Sequence, residues 1–162
     1  MKRLFIIAAL LLTGIMAHAQ DSKSIYNKFS DEDGVSAVYI SPSMFKLIGK
    51  LPEIEIGDHG EKVDITPIVK TLKGFYLLNT SDQGLTKRLN NDVKSLLGKG
   101  SYELMMEAKQ DGETVRFYTD GDDSIVRSFV MMALDADSAT FISMDGLINR
   151  DALERMLAKI NR

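Results

Sequence analysis

From Tyr102 to Met144 the chain alternates apolar and polar residues, and three short acidic or glycine-bearing turns interrupt the alternation. A period of two over segments of this length commits them to strands, and turns this short commit neighbouring strands to antiparallel pairing. Tyr102–Lys109 sets Tyr102, Leu104, Met106 and Ala108 on one side and Glu103, Met105, Glu107 and Lys109 on the other. Gln110-Asp111-Gly112 is a hairpin signal leading into Thr114–Thr119, where Val115 and Phe117 oppose Arg116 and Tyr118. Asp120-Gly121-Asp122-Asp123 and Asp135-Ala136-Asp137 bound a mostly apolar strand, Ile125–Leu134, broken by Arg127 and Ser128. Ala139–Met144 is the last strand, ended by Asp145-Gly146.

Helical periodicity flanks these strands. Ser81–Leu97 carries Leu85, Leu89, Val93, Leu96 and Leu97 as one stripe, with Ser81 as N-cap and Gly98 just past the end. Asn149–Ile160 repeats the pattern with Ala152, Leu153, Met156, Leu157 and Ile160, capped by Asn149. Upstream, Asp21–Ser30 reads as a short helix with Ile25, Tyr26 and Phe29 inward, followed by a strand, Val35–Ile40. Ser41-Pro42 opens a further helix whose apolar face is Met44, Leu47 and Ile48. Glu53–Thr66 has no clear period, with an exposed loop tip at Gly57–Gly60; Ile65–Leu72 adds a helical turn and Lys73–Asn79 a strand. The order implies an α+β fold: a two-layer sandwich, mainly antiparallel, with a four-stranded C-terminal meander covered on one face by helices and solvated on the other.

The N-terminus fixes the expected compartment. Lys2-Arg3 precedes an apolar run from Leu4, and Ala17-His18-Ala19 has the small-x-small pattern of a signal-peptidase site. The run is shorter than the roughly 20 residues a stable membrane span needs. Residues 1–19 therefore read as a cleaved signal peptide and residues 20–162 as a single α+β domain with no transmembrane anchor, exported to a Gram-negative periplasm or secreted. The leader carries two of the 20 cations and none of the 23 acids, so its removal makes the formal charge of −3 more negative by two. An acidic surface disfavours nucleic acid, because phosphate-neutralising patches are missing. With no cysteine, neither disulfides nor a lipobox anchor is available.

The residues name no catalytic machinery. His59, beside Asp58, is the one histidine after the leader and reads as a solvated loop residue. A nucleophile needs a base beside it, and structural zinc needs several His or Cys ligands. The acidic clusters Asp31-Glu32-Asp33, Asp120 with Asp122 and Asp123, and Asp135 with Asp137 suggest calcium, but none completes an EF-hand; they read as turns. No catalytic residue, metal or cofactor is expected. Met105, Met131, Met132 and Met144 read first as core filling, and as an adaptable apolar binding row second.

Lys73-Gly74-Phe75, Tyr102-Glu103-Leu104-Met105, Asp111-Gly112-Glu113-Thr114-Val115-Arg116-Phe117 and Phe141-Ile142-Ser143 before Gly146 together resemble the family of domain of unknown function 4252. The resemblance spans roughly residues 25–160. It implies an exported protein of Gram-negative anaerobes with a link to envelope stress or signalling, and it brings no catalytic residues. The preferred function is thus a non-enzymatic module binding an envelope protein. The alternatives are a carboxylate- or metal-dependent hydrolase, drawing on Asp58, His59 and the acidic turns, and a small-ligand carrier. The expected contact surface is the outer face of the first hairpin, where alternation puts Glu103, Met105, Glu107, Arg116 and Tyr118 side by side.

Overall fold

Asp111 and Gly112 both take positive φ, 50° and 89°, the backbone that a two-residue primed turn demands and that Asp-Gly supplies at little steric cost. The computed structural model describes residues 21–48, 54–56, 61–63 and 66–160. The elements are α1 (Ser22–Phe29), β1 (Val35–Ile40), α2 (Pro42–Ile48), β2 (Ile54–Ile56), β3 (Glu61–Val63), α3 (Thr66–Val69), β4 (Leu72–Thr80), α4 (Gln83–Lys99), β5 (Glu103–Gln110), β6 (Glu113–Gly121), β7 (Ile125–Leu134), β8 (Ala139–Asn149) and α5 (Arg150–Ile160). Six strands form one antiparallel sheet in the order β1-β4-β8-β7-β6-β5, and β2 pairs with β3 separately. Among the described residues no helix is long and apolar enough to cross a membrane.

The register defines two faces. On the first, the row Tyr118–Val130–Ser143–Tyr76–Tyr39 runs across five strands, with Arg116–Met132–Phe141–Leu78–Ala37 beside it. Here α1 and α4 pack Ile25, Phe29, Leu85, Leu89, Val93 and Leu96 onto Tyr76, Leu78, Val130, Met132 and Phe141. Each fully buried apolar side chain contributes about 1.5–3 kcal/mol relative to exposure. Asp21 caps α1 by accepting from the Ser24 amide at 2.7 Å, and Asp82 caps α4 by accepting from the Leu85 amide at 2.8 Å. The α4 stripe is as expected, but its cap is Asp82 rather than Ser81, and the helix continues through Gly98 to Lys99.

The second face is not the solvated one that alternation suggests. Phe75, Phe129, Met131, Met144 and Phe117 point there, and α2, α3 and α5 cover one end with Phe45, Ile68, Val69 and Leu153. Helices on one face only is therefore corrected: strand residues of both parities are apolar through β4, β7 and β8, so both faces acquire a core. The inward residue of α2 is Phe45; Met44 is half exposed and Leu47 is 84% exposed, reversing the face the sequence assigned. The Ser41 hydroxyl accepts from the Met44 amide as the expected N-cap.

Strand β8 does not stop at Asp145-Gly146. It continues to Asn149 and enters α5 directly, with the Asn149 side chain accepting from the Ala152 amide at 3.0 Å. Gly146 makes this possible: a Cβ there would meet the Thr71 carbonyl oxygen and the Leu72 backbone, which lie close because the Leu147 amide donates to the Thr71 carbonyl.

Candidate functional site

The β5–β6 hairpin carries the five residues singled out from sequence, and a bulge separates them. Register shifts between Leu104 and Met106, leaving Met105 without a partner on β6. Glu103 pairs with Thr119 and so lies on the second face, whereas Glu107 pairs with Arg116 and lies on the first. The expectation that all five share one side is corrected: the extra residue inverts the alternation beyond it. Glu107, Arg116 and Tyr118 remain together. Arg116 Nε donates to Glu107 at 2.6 Å and Lys109 lies 2.9 Å from the same carboxyl, holding its pKa below the ordinary range, Lys109 first. Tyr118 is half-buried and packs against the first core, so it is a core margin as much as a surface.

Beyond this pair the hairpin is apolar at its edge. All eight residues of β5 are exposed, including Leu104, Met105 and Met106 at 53%, 50% and 44%. Met106 begins a row on the second face that crosses all six strands: Met106–Phe117–Met131–Ile142–Leu77–Val38. None of these six is fully buried, and Val38 at the far end is 46% exposed. The neighbouring row, Ala108–Val115–Ala133–Thr140–Asn79–Ser36, is small or polar. The methionines thus divide between the two readings: Met132 is core, Met131 and Met144 are half-buried, and Met105 and Met106 are exposed.

A second feature escaped the sequence. At one end of the first face lies a cavity of about 330 Å³, walled by Asp21 and Ser22 at the start of α1, by Leu96, Lys99 and Gly100 at the end of α4, and by Tyr102, Asp120, Arg127, Ser128 and Asp145. Tyr102 donates its hydroxyl to Ser128 at 3.0 Å, and Ser128 donates to Asp145 at 2.8 Å. Beneath them the fully buried Ser143 donates to Ser22 at 2.6 Å. Burial raises the pKa of Asp145 above the ordinary carboxylate range against the opposing Ser128 hydrogen bond, with the nearby Asp21 charge adding to the rise. Burial likewise raises Tyr102, and it raises Tyr76 to about 12 with help from Asp145. The signal in the sequence was Ser128 interrupting an apolar strand; its partner, Asp145, is fixed only by β7–β8 register.

A carboxyl whose pKa is raised by folding favours the fold when protonated. Its contribution is present below the unfolded value, about 3.9, and is lost as pH rises through the folded value. In the full-length chain Asp145→Asn, which keeps an acceptor for Ser128, is therefore expected to melt higher than wild type at neutral pH. The gap should close as pH falls below the ordinary carboxylate range. Thermal melts across that range check it; a lower melt for the variant at neutral pH contradicts it.

The acidic turns are accounted for locally. Asp122 accepts from the Ile125 amide, from the Ser124 hydroxyl and from the Ser124 amide, and these bonds hold its carboxyl well below the usual range. Asp135 does the same with Ser138 and the Asp137 amide. Among the described residues no group of three or more His, Cys, Asp or Glu side chains is placed to hold a metal ion. Asp58, His59 and the leader lie outside the described residues.

Neither a curated protein nor a solved structure matches the chain. A family model does: over residues 26–156, from within α1 to within α5, the chain belongs to the family described as Domain of unknown function (DUF4252).

Proposed function

We propose that this protein is exported to the bacterial envelope, most simply the periplasm, and acts there without catalysis by binding another envelope protein. The observation that carries the reading is the apolar row Met106–Phe117–Met131–Ile142–Leu77–Val38 on the second face, exposed at its two ends and partly buried between them. Adaptable methionine and aromatic side chains of this kind suit a protein contact. The bulge at Met105 interrupts the ladder a partner strand would need, so the partner packs on side chains rather than extending the sheet. It therefore presents an apolar face, and the Glu107–Arg116–Lys109 cluster on the other side of the hairpin borders the contact. A role in envelope stress or signalling, which the family resemblance implies, would fit a protein that works through such a contact.

Met106→Lys and Val38→Lys test the two ends of the row. Both sites are exposed, so each variant should stay within about 0.5 kcal/mol of wild-type stability. Each should weaken capture of the envelope partner by tenfold or more, the scale of losing one well-packed interface anchor. By contrast Tyr118→Ala should lower the melting temperature, because Tyr118 packs on the first core. Undiminished capture by both lysine variants, with wild-type melts, would overturn the reading.

A further inference from the structure

The six-stranded sheet ends in two unlike edges, β5 and β1. β5 is broken by the bulge at Met105 and carries Glu103, Glu107 and Lys109, the devices that keep an edge strand from pairing. β1 has none of them. Val35-Ser36-Ala37-Val38-Tyr39-Ile40 holds no charge and no proline, and its register with β4 runs unbroken from Val35↔Thr80 to Ile40↔Phe75. Among the described residues no strand pairs with its outer side, and Val38 and Tyr39 are 46% and 44% exposed.

The turn before β1 fixes which backbone groups face outward. The Val35 amide donates to the Glu32 carbonyl at 3.2 Å, so it takes no part in the ladder with β4. Alternate residues of an antiparallel strand bond to opposite sides. Ser36, Val38 and Ile40 therefore bond to β4, and Ala37 and Tyr39 direct their N–H and C=O away from the sheet. A strand added here must present the same alternation, and β1 of a second copy does. Run antiparallel with a two-fold axis at Val38, Ala37 of each copy exchanges both hydrogen bonds with Tyr39 of the other. The Val35 amide, already bonded to Glu32, is not needed. The side chains fit as well, because opposite residues share a face. Tyr39 meets the small Ala37 of the second copy, and its own ring lies back over Tyr76, stacked at 5.3 Å. A formal charge of −3 sets two copies against each other, but β1 itself is neutral. The antiparallel course also carries the acids Asp31-Glu32-Asp33 of the two copies to opposite ends of the pair.

We propose that β1 is the interface between two copies of this chain, which pair antiparallel about Val38 and join their sheets into one. The interface is isologous, and the blocked β5 edge stops the assembly at two copies. Val38, the exposed end of the second-face row, then sits beside Val38 of the second copy, so the two rows run end to end. Strand pairing lies in the plane of the sheet. It leaves the second face open, and the proposal does not rest on the envelope partner.

The chain has no cysteine, so single introduced cysteines report the register. Val38→Cys sets two thiols across the axis in a non-hydrogen-bonded pair, where Cβ atoms lie about 4.5–5.5 Å apart, near disulfide reach. Ser36→Cys is exposed on the same face, but its two thiols would be separated by roughly 13 Å along the strands. Under mild oxidation the purified Val38→Cys protein should become a covalent dimer, and Ser36→Cys should stay reduced. The purified wild type should sediment as a dimer at micromolar concentration. Ala37→Pro removes one outward N–H and spares the β4 ladder, so it should sediment as a monomer. If that variant does not fold, the cysteine pair decides alone. A monomeric wild type, equal crosslinking of the two cysteine variants, or a folded Ala37→Pro that stays dimeric would overturn the proposal. All of this is measured on the purified chain alone, so it stands or falls independently of envelope-partner capture.

Discussion

Phe141→Ala is expected to destabilise the fold by about 3–5 kcal/mol, the usual cost of deleting a buried aromatic side chain. Phe141 is fully buried in the middle of β8. Its row places it between Met132 of β7 and Leu78 of β4, and Leu89, Val93 and Ile25 from the two helices belong to the same core. All of its neighbours are held by strand pairing or by helix stripes, so the space left by truncation has little means to collapse. Urea melts of the variant beside wild type measure the loss. A change below about 1 kcal/mol would mean that α1 and α4 do not press on this face as described.

Gly121→Ala should also be severe, for a different reason. Gly121 closes β6 where the register shifts between Asp120 and Gly121, opposite Val126. A Cβ at this position would strike the Ile125 carbonyl oxygen and the Val126 backbone. That carbonyl already accepts from the Asp122 amide at 2.9 Å, so it cannot withdraw without opening the turn. The cost should reach the upper end of the roughly 1–3 kcal/mol typical of overpacking. Hydrogen exchange should show the loss first at the Asp122, Ser124 and Ile125 amides, which the turn protects. An alanine variant that melts with wild type and keeps those amides protected would contradict the close approach of β6 and β7.

Much of this architecture was legible because it rests on local rules. Asp111-Gly112 had to turn, since positive φ is rare elsewhere; Ser41-Pro42 had to open a helix; and Leu85, Leu89, Val93 and Leu96 could share a face only on a helix. What stayed hidden depends on partners distant in sequence. The bulge at Met105 leaves the apparent alternation of β5 intact, and on an exposed edge strand no burial penalty marks the slip. The second core was hidden because Phe75, Phe129 and Met144 look outward only if the facing helices are unknown. The β2–β3 pair consists of three-residue strands, too short for periodicity to reveal. Asp145 read as the end of a strand because its meaning lies in Ser128 across the ladder and in Tyr102 reaching over from beyond α4.

The account turns on whether the second-face row that is exposed at Met106 and Val38 is the working surface. Photo-crosslinking from a reactive residue placed at Met106, and separately at Val38, in cells exporting the protein tests this directly. Lys87 on the exposed side of α4 provides the comparison. The account predicts the same discrete protein adduct from Met106 and from Val38, at the two ends of one row, and none from Lys87. Adducts from Lys87 alone, or no adduct from either end of the row, would contradict it.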